Sequence, residues 1–129
     1  MPGFLGYLIV FFGGGCGAAV RHGVNRLAFA LGLTFPAGTM AINILGCFLM
    51  GVLTAWFAYK GEQTSQHTRL LLTTGVLGGF TTFSAFSLDA AALWQRGEVT
   101  QAAIYVVGSV VLSLVAVFAG MALMRQVVG

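Results

Sequence analysis

The sequence predicts an all-α integral membrane protein, four transmembrane helices in one chain with the third broken mid-membrane. Three observations lead there. Of 129 residues 58% are hydrophobic and 7% charged, with a mean hydropathy of +0.95, outside the range of a water-soluble domain. The uncharged runs Met1 to Val20, Leu27 to Tyr59, Leu70 to Leu88 and Val99 to Met124 each reach the roughly 20 residues that a helix needs to cross hydrocarbon. The third run carries Gly75 to Ser87, GVLGGFTTFSAFS, whose glycines and hydroxyls a helix resting in lipid does not require. The spans are placed at 3–30, 36–59, 68–95 with a break near 78–82, and 99–125, as one domain over 1–129 with both termini on one side.

The first span lacks a basic leader and three more follow it, so it is kept as a helix and not as a cleaved signal peptide. Gly13, Gly14, Gly15 and Gly17 give it a smooth face, extended by Gly6 and Ala18, and Gly13 with Gly17 has the spacing that lets helices approach closely. Arg21 ends that face, either snorkelling to the interface or lining an aqueous vestibule. Cys16 and Cys47 lie inside apolar spans without metal or CxxC spacing and read as small packing residues.

In the second span Thr39 and Asn43 stand one turn apart on one face of GTMAINILG. A membrane-buried Asn needs partners, and glue between helices and pathway lining are both open at this point. The longest polar stretch that follows, Lys60 to Arg69, leaves no room for a soluble active site. No nucleophile with a base and no metal-ligand cluster appears anywhere, which disfavours an enzyme.

In the third span Gly78 and Gly79 weaken the helix where Thr81, Thr82, Ser84 and Ser87 add polar groups. Backbone freed at that depth survives only if it faces protein, water or an ion. Carbonyls released around Gly78 to Thr81 would suit a hard cation such as Na⁺, unless Thr and Ser side chains or water satisfy the backbone. Phe83 and Phe86 face one way, with Phe80 a turn earlier; they are either core or rings that offer positive edges to an anion. Asp89, the lone acid of this span, reads as a vestibule or helix-end residue, and His22 and His67 as interfacial.

In the fourth span Tyr105, Ser109 and Ser113 recur at i, i+4 and i+8 along a helix otherwise of Val, Leu and Ala, a stripe better suited to lining than to glue. Hydroxyl and amide donors without a mid-membrane charge suit a small anion that must exchange water for hydrogen bonds and still leave quickly.

Six Lys or Arg stand against three acids, in no run that would bind nucleic acid. Lys60, Arg69 and Arg125 fall at one end of the spans and Arg21, Arg26 and Arg96 at the other, so the positive-inside rule selects no orientation. Either another feature orients the chain, or it inserts both ways and pairs as an antiparallel dual-topology homodimer; a homodimer is the expectation. Four short helices also leave little room for a pathway enclosed by one chain.

With GGGCGAAVRH in the first span, GTMAINILG in the second, GGFTTFSAFS in the third and the polar fourth helix, the whole chain resembles the fluoride channel (Fluc) family of small bacterial membrane proteins. That resemblance implies passive, selective fluoride export, and so fluoride resistance, through an antiparallel homodimer in the bacterial inner membrane, with two pores and a structural Na⁺ at the dimer centre. It also implies roles for individual residues. Phe83 and Phe86 would be the ring-edge pair and Asn43 the amide donor; Thr39, Ser109 and Ser113 would form the polar track, with Tyr105 near its constriction and Arg21 drawing anions into a vestibule. Gly78 and Thr81 would offer carbonyls to Na⁺. The chain departs from the common pattern at Phe80, where many members carry Leu, and at Ala85, where Thr is common. A small multidrug transporter is the alternative of similar size, but it needs an acid in the first helix and this one has none. A non-transporting scaffold would leave the polar stripes without a role.

Overall fold

The protein, represented by a computed structural model, is described over residues 3–129, with residue 62 known by its backbone alone; the first two residues of the N-terminal run lie outside the described residues. Everything regular in it is helical: α1 (Gly3–Ala30), α2 (Ala37–Lys60), a 3₁₀ turn (Gly61–Gln63), α3 (Gln66–Leu70), a π-helical segment (Leu71–Leu77), α4 (Gly78–Phe80), α5 (Phe83–Gln95) and α6 (Val99–Val128). Counted with Gln66–Gln95 as one span, four helices are long and apolar enough to cross a membrane.

Local chemistry sets the ends. The chain leaves α1 through Gly32 at φ +73°, a left-handed conformation in which Leu33 N–H reaches back to the Ala28 carbonyl at 3.2 Å. Gly97, at φ +79°, does the same after α5, where Glu98 N–H meets the Leu93 carbonyl at 3.0 Å. Ser65 caps α3 by accepting from Thr68 N–H at 3.1 Å. Between α2 and α3, the Arg69 guanidinium lies over the Phe57 ring and donates to the Phe57 and Gly61 carbonyls, tying the end of α2 to the start of the third span.

The third span is interrupted at its centre. Thr81 (φ −84°, ψ 157°) and Thr82 (φ −152°, ψ 125°) are extended, while Gly78 and Gly79 remain helical. Gly79 therefore serves contact and not the break itself, whereas a Cβ on Gly78 would meet only the Thr73 carbonyl oxygen, at 3.5 Å. A Cβ on Gly79 would lie 2.8 Å from the Gly14 Cα, and one on Gly17 would overlap the Val76 carbonyl oxygen. Gly13 and Gly75 meet in the same way. α1 thus packs backbone to backbone on the π segment and α4.

On the other side α2 crosses α6 equally closely, since a Cβ on Gly51 would overlap the Val117 carbonyl and one on Gly120 the Phe48 carbonyl. The buried apolar side chains gather in two clusters, Ile42, Leu77 and Phe80 beneath the break and Phe86, Leu93, Ala102 and Tyr105 beside it, with Phe57, Ala55 and Ala116 buried apart from them. The rest of the apolar surface points outward; the most apolar window of α1 is 11% buried and that of α6 17%. In water such a surface would be untenable, and lipid or a second chain removes that cost.

Candidate functional site

Breaking the third span releases polar backbone, and the hydrogen bonds around it show which groups are taken. Asn43 braces the break with both ends of its amide: Oδ1 accepts from Thr82 N–H at 2.8 Å and Nδ2 donates to the Thr82 carbonyl at 2.9 Å. Arg21 Nε donates to the Gly79 carbonyl at 3.1 Å. Thr81 N–H and Thr81 Oγ1 both donate to the Leu77 carbonyl, at 3.0 Å each. Thr82 Oγ1 caps α5, accepting from Ala85 N–H at 3.1 Å. Among the described residues nothing donates to the Gly78 or Thr81 carbonyl. Hard oxygen donors of this kind suit a cation such as Na⁺. No cluster of His, Cys, Asp or Glu among the described residues offers a metal site of another type.

Gly46 makes room for the break, since a Cβ there would overlap the Thr81 Cγ2 methyl. Beside it, α2, the break, α5 and α6 line an open cavity of about 250 Å³. Asn43, Thr81, Thr82, Ser109 and Ser113 supply its polar wall, and Phe83, Phe86, Cys47 and Val110 the apolar one. Ser109 is 4% exposed and its Oγ has no hydrogen-bond partner. Phe86 is buried and Phe83 is 77% exposed, their ring centroids 5.6 Å apart at 47°. Phe83 thus walls the cavity with nothing of its own chain behind it.

A second cavity of about 340 Å³ lies at the end of the bundle where α1 and α5 finish and α2 begins, and Tyr105, fully buried, lines neither cavity but touches lining residues of both. The Tyr105 ring packs on Phe86 at 5.2 Å and edge-on to Phe35 at 5.5 Å, and its hydroxyl donates to Asp89 Oδ2 at 3.1 Å. Thr39, Asp89, Asn25, Thr34 and Arg96 give the second cavity its polar lining. Thr39 is buried.

The structure thus places Asn43, Phe83, Phe86, Ser109 and Ser113 around one cavity and Thr39 in the lining of the next, with Tyr105 packed on Phe86 of the first and bonded to Asp89 of the second. Arg21 lines neither; it holds the break from the α1 side. Gly78 and Thr81 lie on the break, on adjoining turns of backbone. Sequence reasoning missed that Cys47 lines the cavity, although it stands one turn after Asn43 on the same face. It also left Asp89 without its partner, although Asp89 follows Phe86 at i+3 and so shares its face.

Residues 8–121 match the family described as CrcB-like protein, camphor resistance (CrcB). A Nitrobacter hamburgensis protein named fluoride-specific ion channel FluC 2 is 54% identical over 123 residues, covering 95% of this chain and 98% of its own. A Methylobacterium nodulans protein named fluoride-specific ion channel FluC is 56% identical over 122 residues, covering 95% of this chain and 98% of its own. One of the same name from Paracoccus denitrificans is 54% identical over 119 residues, covering 92% and 94%.

Proposed function

Since this chain belongs to the CrcB-like family, whose relatives are named fluoride-specific ion channels, we propose that its polar track is the path by which fluoride crosses the membrane. The protein is a multi-pass membrane channel for fluoride and not an enzyme. Its residues account for the selectivity. Fluoride is small and strongly hydrated, so it enters an apolar interior only where hydrogen-bond donors replace water, and it leaves only where no fixed charge traps it.

The single observation that carries the pathway is the orphan hydroxyl of Ser109. A buried hydroxyl without a partner costs about 1–3 kcal/mol, and an anion or its water in the adjoining cavity removes that cost by accepting from it. Ser109 and Ser113 succeed one another at a four-residue step, about 6 Å along α6, a spacing over which an ion passes between donors without being released into lipid, while Tyr105, one turn earlier, gives its hydroxyl proton to Asp89. Asn43 retains one N–H beyond the donation to Thr82, because an amide nitrogen carries two. Phe83 and Phe86 offer ring edges on the opposite wall, and Thr39 continues the track outward. Arg21, anchored by Nε, keeps its charge near the break, where it attracts anions.

The functional unit in this proposal is an antiparallel homodimer, inserted in both orientations in the bacterial cytoplasmic membrane, with the break at mid-membrane depth. The 77% exposure of Phe83 supports it, because a pathway wall needs protein behind it. Gly78 and Thr81, with their copies in the second chain, would hold a structural Na⁺ that neutralises inward-pointing carbonyls and joins the two breaks. Replacing Na⁺ by a large organic cation is expected to lower both the thermal stability of the dimer and the flux; unchanged melting would remove the cation site.

The decisive experiment is anion efflux from liposomes, followed with fluoride and chloride electrodes after a potassium ionophore removes the charge limit. Rapid fluoride release without chloride release is expected. Release of neither ion from verified dimer would return the scaffold reading.

A further inference from the structure

The second cavity carries charge that the pathway does not use. Arg96 is the one cation among its lining residues and Asp89 the one acid, two turns apart on the same face of α5. Glu98, just beyond the Gly97 turn, meets Arg96 Nη2 with Oε2 at 3.3 Å, and the two side chains are 55% and 42% exposed. The pair is therefore in water, at the rim, while Asp89 is engaged deeper by the Tyr105 hydroxyl. Among these three groups the acids outnumber the cation by one.

Resting on the fluoride-channel reading, we propose that Arg96 gathers fluoride at the mouth of the pathway and that Glu98 holds this attraction in check. A solvated surface ion pair contributes little to stability, so the pair has no structural need to be kept. Its electrostatic reach is different. A unit charge about 8 Å from an ion in water changes the local ion concentration about two-fold in dilute buffer, and by much less once the Debye length falls below that distance. At fluoride concentrations below saturation, flux follows that local concentration.

The test is fluoride conductance of the full-length dimer in bilayers at low fluoride, in dilute buffer and again with about 0.5 M of an impermeant-anion salt, where screening is nearly complete. Arg96→Gln is expected to lower conductance about two-fold in dilute buffer, Glu98→Gln to raise it about two-fold, and Arg96→Lys to stay near wild type, with all differences collapsing in high salt. An Arg96→Gln loss equal in both salts would make Arg96 only the structural end of α5, and no change in either variant in dilute buffer would leave the rim without a role; each overturns the proposal. Wild-type protein that passes no fluoride would overturn the channel reading itself, an outcome separate from a conducting wild type with silent rim variants.

Discussion

Asn43 shows how a residue can be legible in type and not in use. The sequence marks it as a membrane-depth amide needing partners, and the structure gives those partners as the N–H and carbonyl of Thr82, from a segment 39 residues away. Pairing at that distance is invisible to helical periodicity, which relates only neighbours along one helix. The brace makes Asn43→Ala a poor probe, because it leaves two backbone groups of the break unsatisfied at about 1–3 kcal/mol each. Asn43→Asp keeps the acceptor for Thr82 N–H but gives up the donation to the Thr82 carbonyl, while placing a negative charge beside the path. A like charge about 6 Å away at an effective dielectric near 20 costs an anion about 2.8 kcal/mol, so fluoride flux at pH 8 should fall about 100-fold, well beyond the loss of stability that the one missing bond brings. Phe83 is the cleaner of the two ring positions, since it has little packing in its own chain to lose. If its ring edge contributes about 1.4 kcal/mol, Phe83→Ile lowers flux about ten-fold, which liposome efflux measures directly. A matched loss of dimer yield would instead make the ring a packing residue.

At the scale of elements, composition sufficed for four apolar helices, because span length and hydropathy are local quantities. The glycine-rich motif announced an irregular third span, but the irregularity has two parts that the motif does not separate. The extended pair is Thr81–Thr82, and before it lies a π-helical stretch, Leu71–Leu77, in which the Thr73 hydroxyl donates to the Arg69 carbonyl at 2.6 Å. Glycine at 79 marks where α1 comes close, a tertiary requirement that reads in one dimension as helix breaking. Two substitutions separate these roles. Gly17→Ala drives a methyl into the Val76 carbonyl, backbone that cannot turn aside, and should destabilise the protein by about 1–3 kcal/mol, seen as a lowered melting temperature. Gly46→Ala meets only the Thr81 methyl, so it should displace the break and lower flux, and adding Thr81→Ser should restore it while keeping the hydroxyl bond to Leu77. Failure of that rescue would show that the α2 backbone itself sets the position of the break.

For the whole molecule, Arg26 and Arg96 stand at one end of the bundle and Lys60, Arg69 and Arg125 at the other, with Arg21 drawn inward to the Gly79 carbonyl at the break. If the channel is dual-topology, tipping that balance should silence it. Gln63→Lys with Gln126→Lys should force one orientation and abolish flux, Gln95→Lys with Gln101→Lys should force the other, and co-expression of the two should restore it. Activity in either variant alone would exclude the antiparallel arrangement. The sequence could suggest this assembly through the missing charge bias, the little room that one chain leaves for an enclosed pathway, and the family resemblance; which surface would pair depends on side chains brought together by folding, such as the outward Phe83 beside the inward Phe86. The low self-burial of the helices also has a consequence for how much protein a cell needs. A chain that leaves most of its α1 and α6 windows uncovered is inactive alone in this scheme, so mass action governs it: when protein is dilute in lipid, working channels rise with the square of copy number. Halving the protein-to-lipid ratio in that regime should quarter the flux per vesicle, and a membrane holding a few chains would gain almost no fluoride conductance until their number passed the threshold for meeting.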